Sequence, residues 1–105
     1  MKQYDIYRVS LDPTIGFEIK NTRPCVVISP EEMNKHLKTV QIAPLTSNTR
    51  AYPWRAAITF QRKRGMVALD QLRTVDKRRL IKRLGRTTKT VQQTIKDILD
   101  EMLVQ

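Results

Sequence analysis

Most apolar residues of this 105-residue chain keep the period of a strand, and only its last fifth carries a long helical stripe. Trp54, Ala56, Ile58 and Phe60 alternate with Arg55, Ala57, Thr59 and Gln61, so an extended segment there has one apolar and one polar face. Tyr7, Val9 and Leu11 alternate in the same way with Arg8 and Ser10, and Asp12, Pro13 and Gly16 end that segment. Cys25-Val26-Val27-Ile28 is a short run, mostly β-branched, suited to a buried strand. Val40, Ile42 and Pro44 mark another. Met66 to Leu69 reads as buried on both faces and continues through residues 70–75 across a bend. Residues 12–22 and 46–53 are loops by composition, and Gln61 to Gly65 is a charged hairpin tip.

Three segments read as helical. In residues 29–37, Ser29 is a good N-cap, Pro30 fits the first helical position and Glu32 completes a capping box, with Met33 and Leu37 turned to the core. Asp76 can cap a short basic helix over Lys77 to Leu84, which Gly85 stops. Thr87 or Thr88 caps the last helix, where Val91, Ile95, Ile98, Leu99 and Met102 fall at helical spacing. About five or six short strands followed by helix predict a mainly β fold with helices, a small bent sheet or partly open barrel in a single domain over residues 1–105.

Charge narrows the partners. The net charge is +10, and between Arg50 and Lys89 only Asp70 and Asp76 oppose the basic residues. A small domain with this balance suits a polyanion, either nucleic acid or an acidic protein. No apolar run reaches the length of about 18 residues that a membrane helix needs, and the N-terminus lacks a signal-peptide core. The one cysteine, Cys25, cannot form a disulfide framework, so a cytoplasmic protein is expected. One His and one Cys cannot build a zinc centre, and no Gly-rich phosphate loop is present, so no metal or cofactor is expected. Cys25 reads as a core thiol and His36 as a surface residue.

What remains are polar groups at strand ends. Arg23 precedes Pro24, which holds it extended at the mouth of a buried strand. Thr46 and Ser47 follow Val40 to Leu45, and Asp70 follows the Met66–Leu69 run. If these ends converge, they form a site with a cation, a hydroxyl and a carboxylate. Each residue also has a purely structural reading. Arg23 can pair with Glu18 or Asp70, Thr46 can start a turn, and Asp70 can accept backbone N–H bonds.

Four segments, in order, resemble the MazF/PemK/Kid toxins of bacterial toxin–antitoxin systems: Leu-Asp-Pro-Thr-x-Gly-x-Glu (11–18), Thr-Arg-Pro (22–24), Pro-Leu-Thr-Ser (44–47) and Asp-Gln-x-Arg-Thr-Val-Asp (70–76). The resemblance implies an SH3-like small barrel of the CcdB/MazF type with a C-terminal helix, working as a homodimer. It implies a metal-independent, sequence-specific endoribonuclease that cuts single-stranded RNA to 2′,3′-cyclic phosphate and 5′-hydroxyl ends. Its implied protein partner is a cognate antitoxin with an acidic disordered tail. By position, Arg23 and Thr46 match the catalytic pair. Glu18, Ser47 and Asp70 match positions tied to catalysis or RNA contact, Glu18 as the base, and Arg73 lies in the matching Asp-Gln-x-Arg stretch, where the role is RNA contact or structural support. Phe17 and Ala68 stand where a plasmid-borne subgroup has His and Arg, so the chain is nearer the chromosomal subgroup.

Beside the resemblance, Tyr52, next to Pro53 in a loop, can stack on an RNA base, whereas Trp54 is expected in the core. Two rival readings follow from the same residues. Arg79 to Leu99 reads superficially as a helix–turn–helix of a DNA-binding regulator. A CcdB-like toxin would keep the barrel and poison gyrase without cutting RNA.

Overall fold

The alternating segments pair into one antiparallel sheet. A computed structural model describes residues 1–19 and 21–104. Its strands are β1 (Asp5–Ser10), β2 (Thr22–Val27), β3 (Thr39–Thr46), β4 (Arg55–Phe60), β5 (Lys63–Ala68), β6 (Arg73–Asp76) and β7 (Leu80–Arg86). Helix α1 (Glu31–His36) lies between β2 and β3, and helix α2 (Lys89–Leu103) ends the chain. The sheet order is β4-β5-β3-β2-β1-β7, with β6 also on β3.

β3 bends this sheet into a half-barrel. One of its edges follows β2, from Val27↔Ile42 to Cys25↔Pro44. The other pairs with β6 from Thr39 to Ile42, then with β5 at Leu45 and Thr46. Pro44 has no N–H to donate and falls at this changeover, where neither β5 nor β6 is paired to it.

Curvature lets both faces of the sheet bury apolar residues, which explains the unbroken run at 25–28. Val26 and Ile28 join Ile6, Ile58, Val67 and Leu69 in one cluster, while Cys25 and Val27 join Val9, Leu11, Val40, Ile42 and Val75 in another. Helix α2 closes the first cluster with Ile95, which is fully buried and contributes roughly 1.5–3 kcal/mol by leaving water. Thr88 caps α2, its hydroxyl accepting the Val91 N–H at 3.3 Å. Met102 is 37% exposed, so the apolar face predicted for α2 stops short of it.

Three expectations need correction. Residues 77–84 form no α-helix: Lys77–Arg79 is a single 3-10 turn and Leu80–Arg86 is the edge strand β7. Leu80 packs on the second cluster and Leu84 on the first, a division that a helix holding both on one face cannot make. The helix–turn–helix reading fails with it.

In α1, Ser29 is not the cap. Its hydroxyl donates to Asn34 Oδ1 at 2.5 Å and accepts the Gln41 N–H at 3.1 Å, so the buried polar pair Ser29–Asn34 fastens α1 to β3. Met33 and Leu37 are left 39% and 45% exposed.

Trp54 lies just before β4 and is 40% exposed, stacked on Tyr52 rather than buried. No helix among the described residues is long and apolar enough to cross a membrane.

Candidate active site

Register assembles the site. β2 and β3 are matched from Val27↔Ile42 to Cys25↔Pro44, which brings the end of β2 that carries Arg23 beside the end of β3 that carries Thr46. Pro24 keeps the strand extended, and Cys25 to Val27 fix it in the core below. Arg23 is half-buried, and its Nη1 donates to the Leu45 carbonyl at 3.3 Å, which directs the guanidinium along the end of β3. The Thr46 hydroxyl accepts the Asn48 N–H at 3.2 Å, opening the turn that carries Ser47. That bond uses a lone pair and leaves the hydroxyl proton able to donate.

Arg23, Thr46 and Ser47 line one cleft of about 380 Å³. Its opposite wall is the β4–β5 hairpin, including Phe60, Lys63 and Arg64. Gln61 and Arg62 at the hairpin tip have φ of 51° and 65°, the left-handed pair of a two-residue turn whose twist matches the flanking strands. β5 reaches β3 closely only because residue 65 is glycine: a Cβ there would lie 2.7 Å from the Thr46 carbonyl oxygen. Gly65 therefore sits in a strand beside the site rather than at the end of a loop.

Cys25 is buried behind Arg23. Burial pushes its thiol up to about 12, although the charges of Arg23 and Arg73 act in the other direction. A thiol so placed is inert as a nucleophile.

The other expected site residues lie elsewhere. Asp70 forms a two-bond ion pair with Arg55, at 3.1 and 3.2 Å. The Arg55 guanidinium lies 5.2 Å from the Tyr52 ring centroid, Arg50 lies 5.3 Å from the same ring, and Tyr52 stacks on Trp54 at 5.2 Å. Asp70 and Tyr52 thus belong to one aromatic and cationic patch outside the cleft lining. Glu18 is in the loop after β1, where its carboxylate accepts the Ile15 N–H at 2.7 Å. That loop is tied to the 69–71 turn by the Ile19 N–H, which donates to Gln71 Oε1 at 3.3 Å. Arg73 lies on β6 opposite Ile42 and donates to the Leu11 carbonyl at 3.4 Å.

Lys63, Arg64 and Arg55 carry no local sign in the sequence that they adjoin the cleft or the aromatic patch. The basic hairpin was visible in the sequence, but nothing local shows that it folds back against the end of β3. Among the described residues, no three His, Cys, Asp or Glu side chains gather to hold a metal ion.

The family model for the PemK-like, MazF-like toxins of type II toxin–antitoxin systems matches residues 2–103. The chain belongs to this family. It is 34% identical to the endoribonuclease PemK of Escherichia coli, over 98% of this chain and 82% of that protein. It is 29% identical to the endoribonuclease MazF of Staphylococcus saprophyticus, over 95% of this chain and 88% of that one. In fold it is similar to MazF of Deinococcus radiodurans, with a TM-score of 0.87, 24% identity and coverage of 100% and 97% of the two chains. It is also similar to a mycobacterial endoribonuclease solved in complex with its cognate antitoxin, with a TM-score of 0.83, 24% identity and coverage of 98% and 94%. The PemK/MazF half-barrel with a C-terminal helix is therefore the fold of this toxin.

Proposed function

We propose that this endoribonuclease toxin cuts single-stranded RNA within a short sequence, without metal, using Arg23 and Thr46 on the phosphate. The observation that carries the reading is that Arg23 and Thr46, at the neighbouring ends of β2 and β3, line one open cleft. In the reaction, the substrate's 2′-oxygen attacks the adjacent phosphorus and gives its proton to a base. The bond from phosphorus to the 5′-oxygen breaks, and that oxygen takes up a proton. The products are a 2′,3′-cyclic phosphate and a 5′-hydroxyl.

Arg23 offers two parallel N–H bonds to the phosphate oxygens as charge builds on them. Its guanidinium enters the reaction protonated, so it serves as stabiliser and as the donor of the 5′-oxygen's proton, not as base. The Thr46 hydroxyl donates to a phosphate oxygen, and Glu18 is the carboxylate assigned as base. Ser47 contacts the strand beside the cleft, and Tyr52 offers its ring to a base. Asp70 acts on RNA through Arg55, which it holds beside that ring. Arg73 supports the root of the Glu18 loop through the Leu11 carbonyl.

The toxin works as a homodimer in the cytoplasm, and a cognate antitoxin with an acidic disordered tail neutralises it. The excess of cations, +10 overall, supports such a partner.

The test is purified protein with naked RNA in EDTA. Cutting with cyclic-phosphate ends supports the reading. Intact RNA overturns it and leaves the gyrase-directed alternative.

A further inference from the structure

Arg64 lines more than the active-site cleft. A second cavity, of about 310 Å³, lies over the outer face of β4 and β5 and is bounded by Thr49, Ala51 and Val91 of α2. The two cavities share Ile58, Arg64 and Gly65 in their walls. Arg64 thus lines both the cleft that holds Arg23 and Thr46 and the cavity that reaches α2.

The charge of Arg64 is uncommitted. Arg55, Arg78, Arg83 and Arg86 are paired with carboxylates, and Arg73 and Arg79 donate to backbone carbonyls. Among the described residues, the side chain of Arg64 has neither a hydrogen bond nor an ion pair, and it is exposed. It is held in place by backbone pairing with Thr59, one step from the Gly65 contact with β3. A guanidinium on a rigid strand, facing a groove and unneutralised, is suited to a phosphate.

We infer that Arg64 forms a second phosphate subsite, which seats the phosphate next to the scissile one and leads the RNA strand from the cleft into the second cavity. This rests on the endoribonuclease reading and extends it. Arg64 acts in binding and alignment, whereas Arg23 acts on the reacting phosphate.

The experiment compares wild type, Arg64→Ala and Arg64→Lys, with the remote Arg78→Ala as control. Affinity for a labelled single-stranded poly-deoxyuridine twelve-mer, which lacks the attacking 2′-hydroxyl, is measured by anisotropy across a series of KCl concentrations. One lost phosphate contact lowers the slope of log affinity against log salt by about 0.7 for a single strand. Arg64→Ala is expected to show that change and to bind about ten-fold more weakly. Arg64→Lys should keep the slope, and Arg78→Ala should match wild type.

With RNA, Arg64→Ala should raise KM and leave kcat within about two-fold. An unchanged salt slope in Arg64→Ala, or an equal loss in Arg78→Ala, overturns the subsite. A wild type that shows the Arg64-dependent slope but leaves RNA intact in EDTA overturns the cleavage reading and supports the subsite.

Discussion

The cleft and the β1–β7 edge use the same residue types to opposite ends. The cleft is lined by Arg23, Lys63 and Arg64, with no carboxylate among its described lining residues. At the edge, the buried Asp5 holds Arg86 at 3.1 Å and Arg83 at 3.4 Å. Burial alone would raise the Asp5 carboxyl, but Arg83, the Lys2 N–H and Arg86 outweigh it and hold it below its ordinary 3.8. The edge thus gathers its arginines around a carboxylate, whereas the cleft lining gathers basic side chains without one. Overall net charge conceals that division.

The largest expected effect tests the cleft alone. Arg23→Ala should lower kcat by about 10²–10³-fold, the scale for losing one donor to a developing oxyanion. Its urea midpoint and RNA affinity should stay near wild type. Cleavage at the wild-type rate would remove Arg23 from the mechanism.

Gly65→Ala comes next, because a Cβ 2.7 Å from the Thr46 carbonyl must push β5 off β3. A loss of about 1–3 kcal/mol in urea unfolding is expected, together with lower activity. A variant of unchanged stability would show that the β3–β5 contact yields easily.

Asp5→Asn tests the edge. It should cost roughly 1–2 kcal/mol at neutral pH without altering kcat, since Arg83 and Arg86 can turn to water. Because the folded carboxyl lies below its unfolded value, its contribution is present above 3.8 and is lost as pH falls through the folded value. The gap between wild type and variant should therefore narrow in acid, and a gap that is constant down to pH 2 on the experimental scale (roughly the floor for carboxylates) would contradict the linkage.

The smallest effect is expected for Asp70→Asn. The Arg55–Asp70 pair is partly exposed, so its loss should cost about 1 kcal/mol or less. RNA affinity should fall a few-fold as Arg55 loosens beside Tyr52. A drop in kcat as deep as that of Arg23→Ala would move Asp70 from the patch into the catalytic group.

Local pattern was legible where neighbouring residues carry it. The alternation at 54–60, the β-branched run at 25–28 and the helical spacing beyond Thr88 each correspond to the element found. It misled where a distant partner decides. Lys77 to Leu84 has helix-like chemistry, yet β1, some seventy residues earlier, captures residues 80–86 by backbone pairing and by Asp5. Trp54 alternates with its strand, yet it begins before the sheet does and finds Tyr52 instead of the core.

By itself, then, the sequence determined the strand periods, the terminal helix, the polyanion-suited charge and the stiff lead that places Arg23 at a strand mouth. It also carried the motifs of the family. Only the tertiary structure decided that Arg23 and Thr46 line one cleft, that the β4–β5 hairpin forms another part of its wall, and that Asp70 is engaged by Arg55. The physical reason is the range of the interactions. Periodicity and proline stiffness act within a few residues, whereas register and ion pairing join strands that the chain keeps tens of residues apart.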